Sequence, residues 1–239
     1  MNKRLVFAGL LVFMMTLIPG CGTIKENALK NTIQKKLIIQ NIKVETLDMG
    51  EQPLIKEELQ SITKETKENE KSDDTGFYYK KPEKKPSAVK IVVYKKARIM
   101  ELYGDNNVIG RFKIALGGNP EGDKNKEGDG KTPEGEYYIC TRNTESNFYR
   151  FLGLSYPNVE DAQRGLDSGL ISSKTLKSIK ASQELKKQPA WNTPLGGAVG
   201  IHGGGNASDW TLGCIALENK AVDVIWEYAK IKTPVLIYE

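Results

Sequence analysis

The C-terminal part of the sequence predicts a mainly β domain with a few helices, an α+β fold. Short segments in which apolar and polar residues alternate recur from residue 88 onward, as expected of strands with one buried face. A few longer segments show helical spacing of apolar residues. About 150 residues follow residue 88, which is enough chain for the core of one ordinary domain.

The first predicted elements are strands of an antiparallel meander. They cover residues 89–94, 98–103 and 111–116, and short polar turns, including Gly104 to Asn107, separate them. A polar loop then runs to Lys131. A further strand is predicted at residues 136–140.

Helices and strands are mixed in the rest of the chain. Helical patterns occur at 161–165 and 172–185, and a strand is predicted at 199–201. Asn219 is a candidate N-cap for a helix whose apolar face comprises Val222, Ile225, Trp226 and Ala229. A final strand is predicted at 233–238.

The N-terminus has the features of an export signal. Lys3 and Arg4 precede an apolar run at 5–18, which is shorter than the ~20 residues of a membrane-spanning helix. Residues 17–21, Leu-Ile-Pro-Gly-Cys, resemble a bacterial lipobox, which implies cleavage after residue 20 and acylation of Cys21. The alternative is an ordinary secretory signal with an incidental cysteine. Both readings predict export to the periplasm or cell wall.

Residues 21–86 are predicted to be a membrane-proximal spacer, partly helical or disordered, before a domain at 87–239. Mixed charges and few apolar groups in this segment favour a solvated chain. Without residues 1–20 the protein has 33 basic and 30 acidic residues, a net charge of +3. Because these charges are spread along the chain, we expect no binding to nucleic acid.

The segment 201–217 contains the candidate reactive residues. His202 is the single histidine of the chain and lies twelve positions before Cys214. Only a thiolate attacks efficiently, and an imidazole is the side chain suited to deprotonate a thiol near neutral pH. A Cys–His mechanism would therefore use this pair.

Two structural alternatives compete with this interpretation. In an exported protein, Cys214 could form a disulfide with Cys140, although Cys140 follows a strand pattern and is better interpreted as a small buried residue. Residues 123–134 approximate a calcium-binding EF-hand loop, but helical patterns do not flank them, and we expect a surface loop there. No metal or cofactor is predicted.

The motifs in the second half resemble the catalytic domain of the L,D-transpeptidases, the YkuD-type family of enzymes that remodel bacterial peptidoglycan. The resemblance covers residues 88–239 and implies a β-sandwich-like fold with the cysteine on a loop. It rests on three segments: His202-Gly203 with Thr211-Leu212-Gly213-Cys214, Thr132-Pro133-Glu134-Gly135-Glu136-Tyr137, and Thr233-Pro234-Val235-Leu236-Ile237.

The sequence departs from the common family pattern in two ways. The interval between the first histidine and the cysteine is shorter than is common in the family, and one motif residue differs. That pattern has a histidine two residues before the cysteine, where this chain has Leu212. The form Asp209-Trp210-Thr211-x-Gly-Cys is similar to a branch of the family that lacks this second histidine. The first histidine, which serves the nucleophile in the family, has His202 as its counterpart.

The resemblance implies a role for each residue of the motif. Cys214 is the nucleophile and His202 the general base and acid, oriented by the backbone carbonyl of Gly203. The amides of Gly213 and Cys214 are candidates for an oxyanion hole.

Three further residues are predicted to contact the substrate. The Thr211 hydroxyl would contact either the loop or the substrate. Trp210 and Tyr156 would line the cleft, although both are also candidates for the core.

The reaction implied is attack on the third residue of a peptidoglycan stem tetrapeptide, with release of the terminal D-alanine and formation of a thioester. An amine acceptor would then give a 3-3 cross-link or a protein-wall linkage, whereas water would give carboxypeptidase or amidohydrolase activity. A non-catalytic wall-associated lipoprotein remains a third possibility. We expect a monomer bound to a membrane through its lipid anchor.

Overall fold

The computed structural model describes residues 76–239, and this part of the chain contains nine strands and three helices. The strands are β1 (Phe77–Tyr79), β2 (Val89–Tyr94), β3 (Ile99–Gly104), β4 (Asn107–Lys113), β5 (Gly135–Ser146), β6 (Tyr149–Leu154), β7 (Gly200–His202), β8 (Ile215–Ala216) and β9 (Pro234–Tyr238). The helices are α1 (Val159–Asp167), α2 (Ser173–Glu184) and α3 (Asn219–Tyr228). The prediction of a mainly β domain with a few helices is confirmed.

The strands follow the order β1-β4-β3-β2-β9-β5-β6-β7-β8. Strand pairs β2–β9 and β7–β8 are parallel, and the other neighbours are antiparallel. The first part of β5 pairs with β9 and its later part with β6, so this long strand connects two sheet regions. Beyond β4, Ala115 bridges to Ala216 of β8, which joins the two regions a second time.

One apolar cluster fills the space between these elements. It contains side chains from both sheet regions and from the buried face of α3, among them Ile91, Leu102, Leu154, Ile201 and Val222. A smaller cluster packs α1 against α2. The segment that carries His202 and Cys214 is therefore anchored to the main core through β7 and β8.

The first two predicted meander strands are confirmed as β2 and β3. The third was predicted at 111–116, but β4 covers Asn107–Lys113. It begins earlier because Asp105 and Asn106, both with positive φ, complete the turn from β3. Three strands were not predicted: β1, β6 and β8. Strand β1 pairs with β4 although it lies in the segment predicted to be a spacer. Its backbone hydrogen bonds, together with the packing of Phe77 against Phe112, order this short piece of chain.

The predicted cap of the last helix is wrong. Helix α3 begins at Asn219, its N-cap is Glu218, and no side chain caps it. The Asn219 side chain instead accepts a hydrogen bond from the Gly204 amide, 3.1 Å away. The start of α3 thus supports the loop after His202.

The lipobox residue Cys21 and the signal segment lie outside the described residues. Within residues 76–239, no helix combines the length and the apolar character needed to cross a membrane.

Candidate active site

Strands β7 and β8 bring His202 and Cys214 to the same cavity. In their parallel register, His202 pairs with Ala216. Cys214 directly precedes β8, so the pairing of β7 with β8 brings it close to His202. Both side chains line a cavity of ≈ 300 Å³. The pair predicted from the sequence therefore shares one cleft.

The imidazole of His202 is held by its own loop. Its Nδ1 lies 2.6 Å from the carbonyl oxygen of Gly203, and the ring is almost fully buried. A carbonyl can only accept a hydrogen bond, so Nδ1 carries the proton and Nε2 keeps its lone pair. Burial lowers the pKa of His202 and outweighs the opposite effect of the Gly203 carbonyl. The ring is therefore neutral near pH 7 and can accept a proton.

Two aromatic side chains enclose this ring. The centroid of Phe148 lies 5.0 Å from that of His202, and the indole ring of Trp210 lies 5.6 Å away with its plane inclined by 67°. Both aromatic residues line the cavity, and Trp210 is 39% exposed. Trp210 therefore forms a wall of the cleft, as predicted, and also restricts rotation of the imidazole.

Gly203 leaves no room for a side chain. A Cβ at this position would stand 2.3 Å from Oδ1 of Asn219 and 2.9 Å from Cβ of Tyr149. The Gly203 amide donates to the carbonyl of Phe148 over 2.9 Å. Because these contacts fix the Gly203 backbone, they also fix the carbonyl that orients His202.

The sulfur of Cys214 lies beside the segment before β7. Its thiol donates to the carbonyl of Ala198 over 3.6 Å, and within the described residues no hydrogen bond joins it to His202. Burial raises the pKa of Cys214, which the Gly200 amide and the charge of Lys124 only partly offset. At neutral pH this residue is therefore a thiol that needs a base.

Two threonine hydroxyls hold the backbone of Cys214. Thr211 donates to the carbonyl of Cys214 at 2.8 Å, and Thr132 donates to the same oxygen at 3.4 Å. Both threonines are buried. Of the two roles predicted for the Thr211 hydroxyl, the structure shows contact with the loop.

Gly213 has a backbone conformation with positive φ, and its amide is not free. Its φ is +136°, and a Cβ would stand 2.6 Å from the carbonyl oxygen of Lys131. Only glycine is compatible with both constraints. Its N–H, however, donates to the Thr211 hydroxyl at 3.1 Å. The donor predicted for an oxyanion is therefore already engaged.

The remaining anchor of this loop is Asp209. Its carboxylate pairs with Arg98 at 2.7 Å and accepts a hydrogen bond from the Leu116 amide at 2.8 Å. Partial burial opposes ionisation, but the bonds from Arg98 and Leu116 outweigh it and lower the pKa of Asp209. This residue is an ionised structural support next to Trp210.

Tyr156 does not reach the cleft, which corrects its prediction as a substrate contact. The side chain is fully buried, its ring packs against Tyr137, and its hydroxyl donates to the carbonyl of Leu195 at 2.9 Å. Burial raises the pKa of Tyr156 well above its ordinary value. Tyrosine has an apolar ring and a polar hydroxyl, so it occurs both in cores and at binding surfaces. The sequence alone therefore could not predict that Tyr156 is buried.

The loop predicted as a possible calcium site is held by internal donors. The carboxylate of Asp129 accepts from the ammonium of Lys124 at 2.8 Å and from the amides of Asn125, Lys126 and Lys131. Although burial opposes ionisation, these donors prevail and lower the pKa of Asp129 to about 2. Residues 76–239 contain no group of three or more metal-ligating side chains.

The disulfide alternative is not present in the structure, where Cys140 and Cys214 are both free. The thiol of Cys140 donates to the carbonyl of Leu154 at 3.2 Å, and burial raises its pKa to about 12. The two cysteines therefore differ in their surroundings, and only Cys214 lines the cavity with a histidine.

Several residues of the cavity were not predicted. Phe148, Ala198 and Lys124 are brought to it by the tertiary structure. Ala198 has φ of +51°, which is uncommon for a residue with a side chain. The sequence hint for this unusual backbone was that Ala198 follows Gly196-Gly197 and comes shortly before β7. Leu212, which replaces the second motif histidine, is 86% exposed at the rim of the cavity.

Comparison with known proteins identifies the family of the domain. The family model for the L,D-transpeptidase catalytic domain, YkuD, matches residues 88–237. YafK of Escherichia coli (strain K12), which carries a provisional L,D-transpeptidase name, is 24% identical over 149 residues, 59% of this chain and 47% of the relative. The chain thus spans about half the length of this curated relative.

Two solved structures are similar to part of this chain. The Bdellovibrio bacteriovorus protein Bd1075 is 20% identical with a TM-score of 0.43, over 64% of this chain and 48% of the other. The helical cell shape determining protein Pgp2 of Campylobacter jejuni is 23% identical with a TM-score of 0.45, over 72% and 52% of the two chains.

Proposed function

The chain belongs to the L,D-transpeptidase catalytic domain family, and from this premise we propose that it is a cysteine-dependent L,D-transpeptidase of peptidoglycan. The observation that supports the proposal most strongly is the shared cavity of Cys214 and a His202 whose proton is fixed on Nδ1. The proposed substrate is a stem tetrapeptide of the cell wall.

The reaction begins with transfer of the Cys214 proton to Nε2 of His202. The thiolate then attacks the carbonyl carbon of the third residue of the stem, forming a C–S bond while the carbonyl π electrons move to oxygen. When the carbonyl re-forms, the C–N bond breaks and the leaving D-alanine amine takes the proton from His202. The products of this half-reaction are D-alanine and a thioester on Cys214.

The second half-reaction transfers the acyl group to an amine. The incoming amine attacks the thioester and gives a proton to His202; as the C–S bond breaks, His202 passes that proton to the Cys214 thiolate, which restores the neutral pair. The favoured outcome is a 3-3 cross-link or a protein-wall linkage. Water as the acceptor would make the protein an L,D-carboxypeptidase or amidohydrolase acting on the same substrate class.

The fixed loop geometry serves this chemistry. Thr211 and Thr132 hold the carbonyl of Cys214, and Asn219 holds the loop after His202. A nucleophile and a base on such supports keep their relative position while substrate enters, which reduces the entropy cost of reaching the transition state.

The proposal includes a location. We place the protein outside the cytoplasm of a bacterium, anchored to a membrane by acyl groups on Cys21, because its substrate class is found there. Mass spectrometry of the mature N-terminus tests this part separately.

The function is tested with purified protein and disaccharide-tetrapeptide. Analysis of the muropeptides by liquid chromatography and mass spectrometry should show loss of D-alanine and, with an amine acceptor present, a new amide product. Cys214→Ala should abolish product formation, whereas Cys140→Ala should leave it unchanged. Products from the wild type with water alone would identify the hydrolase instead. No product under any condition would contradict both enzymatic functions.

A further inference from the structure

Lys124, a buried lysine that lines the same cavity as Cys214, has one ammonium N–H without an acceptor among the described residues. Lys124 is 2% exposed, and its Nζ donates to Oδ1 of Asp129 at 2.8 Å and to the carbonyl of Lys126 at 3.0 Å. An ammonium has three N–H donors. The described residues supply acceptors for two of them, and a buried donor without a partner is costly.

The position of this ammonium points to the reacting centre. Lys124 lines the cavity together with Cys214 and His202. Its Nζ lies 3.7 Å from the point where a Cβ on Gly213 would stand. The charge is therefore next to the residue whose amide the sequence suggested as an oxyanion donor.

That amide is engaged elsewhere. The N–H of Gly213 donates to the Thr211 hydroxyl, and this bond is part of the turn that fixes the Cys214 carbonyl. During acyl transfer, the carbonyl oxygen of the donor becomes negative and needs preorganised donors. A second donor besides the Cys214 amide is therefore needed.

We propose that the Lys124 ammonium donates its third N–H to the oxyanion of the tetrahedral intermediates, and that Lys124 is a catalytic residue of the proposed reaction. In this step, Cys214 forms the C–S bond, the carbonyl electrons move to oxygen, and Lys124 stabilises that charge without giving up its proton. When the carbonyl re-forms, the same hydrogen bond weakens. Asp129 holds the ammonium in place and is a positioning residue.

This inference rests on the proposed function and deepens it. A merely structural Lys124 would anchor the loop at 124–131 and would act on the chemistry only by lowering the pKa of Cys214, which the pH profile of alkylation reports. The two roles differ in one property. An oxyanion forms when a carbonyl compound acylates Cys214 but not when iodoacetamide alkylates it.

The experiment compares these two reactions in the full-length protein. The single variant Lys124→Met leaves Asp129 buried without its cation, so the double variant Lys124→Met/Asp129→Asn removes both charges and favours retention of the fold. Lys126→Met is the matched control, because Lys126 is exposed on the same loop. Circular dichroism and thermal melting confirm that each protein is folded.

We expect the acylation rate at saturating carbapenem to fall about 100-fold in both Lys124 variants, as on loss of an oxyanion-hole donor. Alkylation by iodoacetamide, measured above the pKa of the thiol, should change by less than about threefold. Lys126→Met should match the wild type in both reactions.

Two results would overturn the inference alone: acylation in the folded double variant close to the wild-type rate, or a parallel fall in alkylation and acylation. Failure of the wild type to acylate at all would overturn the proposed function and this inference with it.

Discussion

The thiol of Cys214 donates its hydrogen bond to the carbonyl of Ala198, 3.6 Å away, and the imidazole that shares its cavity uses Nδ1 to bind Gly203. Burial raises the pKa of Cys214 and lowers that of His202. Proton transfer from thiol to imidazole is therefore unfavourable at rest. The pair is therefore neutral, with the proton on the sulfur of Cys214.

The neutral pair predicts two different pH profiles. Alkylation of Cys214 by iodoacetamide tracks the thiolate, so its rate should rise about tenfold per pH unit from pH 7 to 8.5. Acylation by a carbapenem needs neutral His202 and the thiol together. Because the pKa of His202 is below its ordinary value, acylation should rise with pH only below about 6.5 and be nearly constant from pH 7 to 8.5. Stopped-flow and quenched mass spectrometry measure both profiles. Alkylation that is already independent of pH at 7 would indicate a thiolate–imidazolium pair and contradict this account.

Thr211→Val removes the hydroxyl that joins the Gly213 amide to the Cys214 carbonyl while preserving the shape of the side chain. We expect the free energy of unfolding to fall by about 1–3 kcal/mol, because a buried donor and a buried acceptor lose their partner. Acylation should slow as well, since the nucleophile loses a support. Denaturant unfolding and acylation rates test both effects, with exposed Thr144→Val as the control. A stable Thr211→Val protein with unchanged acylation would show that this turn is held in another way.

Gly213→Ala should be among the most damaging single changes in the loop. Its φ of +136° is strained for any side chain, and the new Cβ would stand 2.6 Å from the carbonyl oxygen of Lys131. Gly169→Ala provides the comparison, because Gly169 also has positive φ but its Cβ would meet nothing within 4 Å. Gly169→Ala should cost about 1–2 kcal/mol and leave acylation intact. Gly213→Ala should cost more and lose most acylation. Equal effects of the two changes on stability and acylation would refute the steric argument.

Tyr156→Phe separates a core role from a substrate role. The change removes the hydrogen bond to Leu195 and should lower the free energy of unfolding by about 1–2 kcal/mol. Turnover of disaccharide-tetrapeptide by folded protein should not change. Trp210→Ala should give the opposite pattern, with raised KM or lowered kcat and a smaller loss of stability, because the indole is a partly exposed wall of the cleft. A raised KM in Tyr156→Phe would contradict the core role and indicate that Tyr156 contacts the substrate.

Local patterns predicted the longer helices and most strands, but not β1, β6 or β8. Strand β2 is rich in β-branched residues and pairs with β3 along its whole length, so its sequence carries a clear signal. Strand β8 is two residues long and forms because the core and β7 hold it. Asn219 has the residue type of a cap, but tertiary contact with Gly204 determines what its side chain does.

The pairing of His202 with Cys214 in one cavity was predictable because the chain offers one histidine and a glycine-flanked cysteine. Its surroundings were not, because they depend on residues far apart in the sequence. Phe148 reaches His202 from the turn between β5 and β6, and Thr132 reaches the Cys214 carbonyl from the loop before β5. In the sequence, Lys124 resembles the other lysines of a polar surface loop. Its burial and its ion pair with Asp129 are visible only in the structure.

Intact-protein mass spectrometry after exposure to a carbapenem tests the central claim most directly. We predict one covalent adduct on the wild-type protein, the same adduct on Cys140→Ala, no adduct on Cys214→Ala, and strongly slowed formation on His202→Ala. Unmodified wild-type protein with both thiols free, or an adduct that persists in Cys214→Ala, would contradict the account.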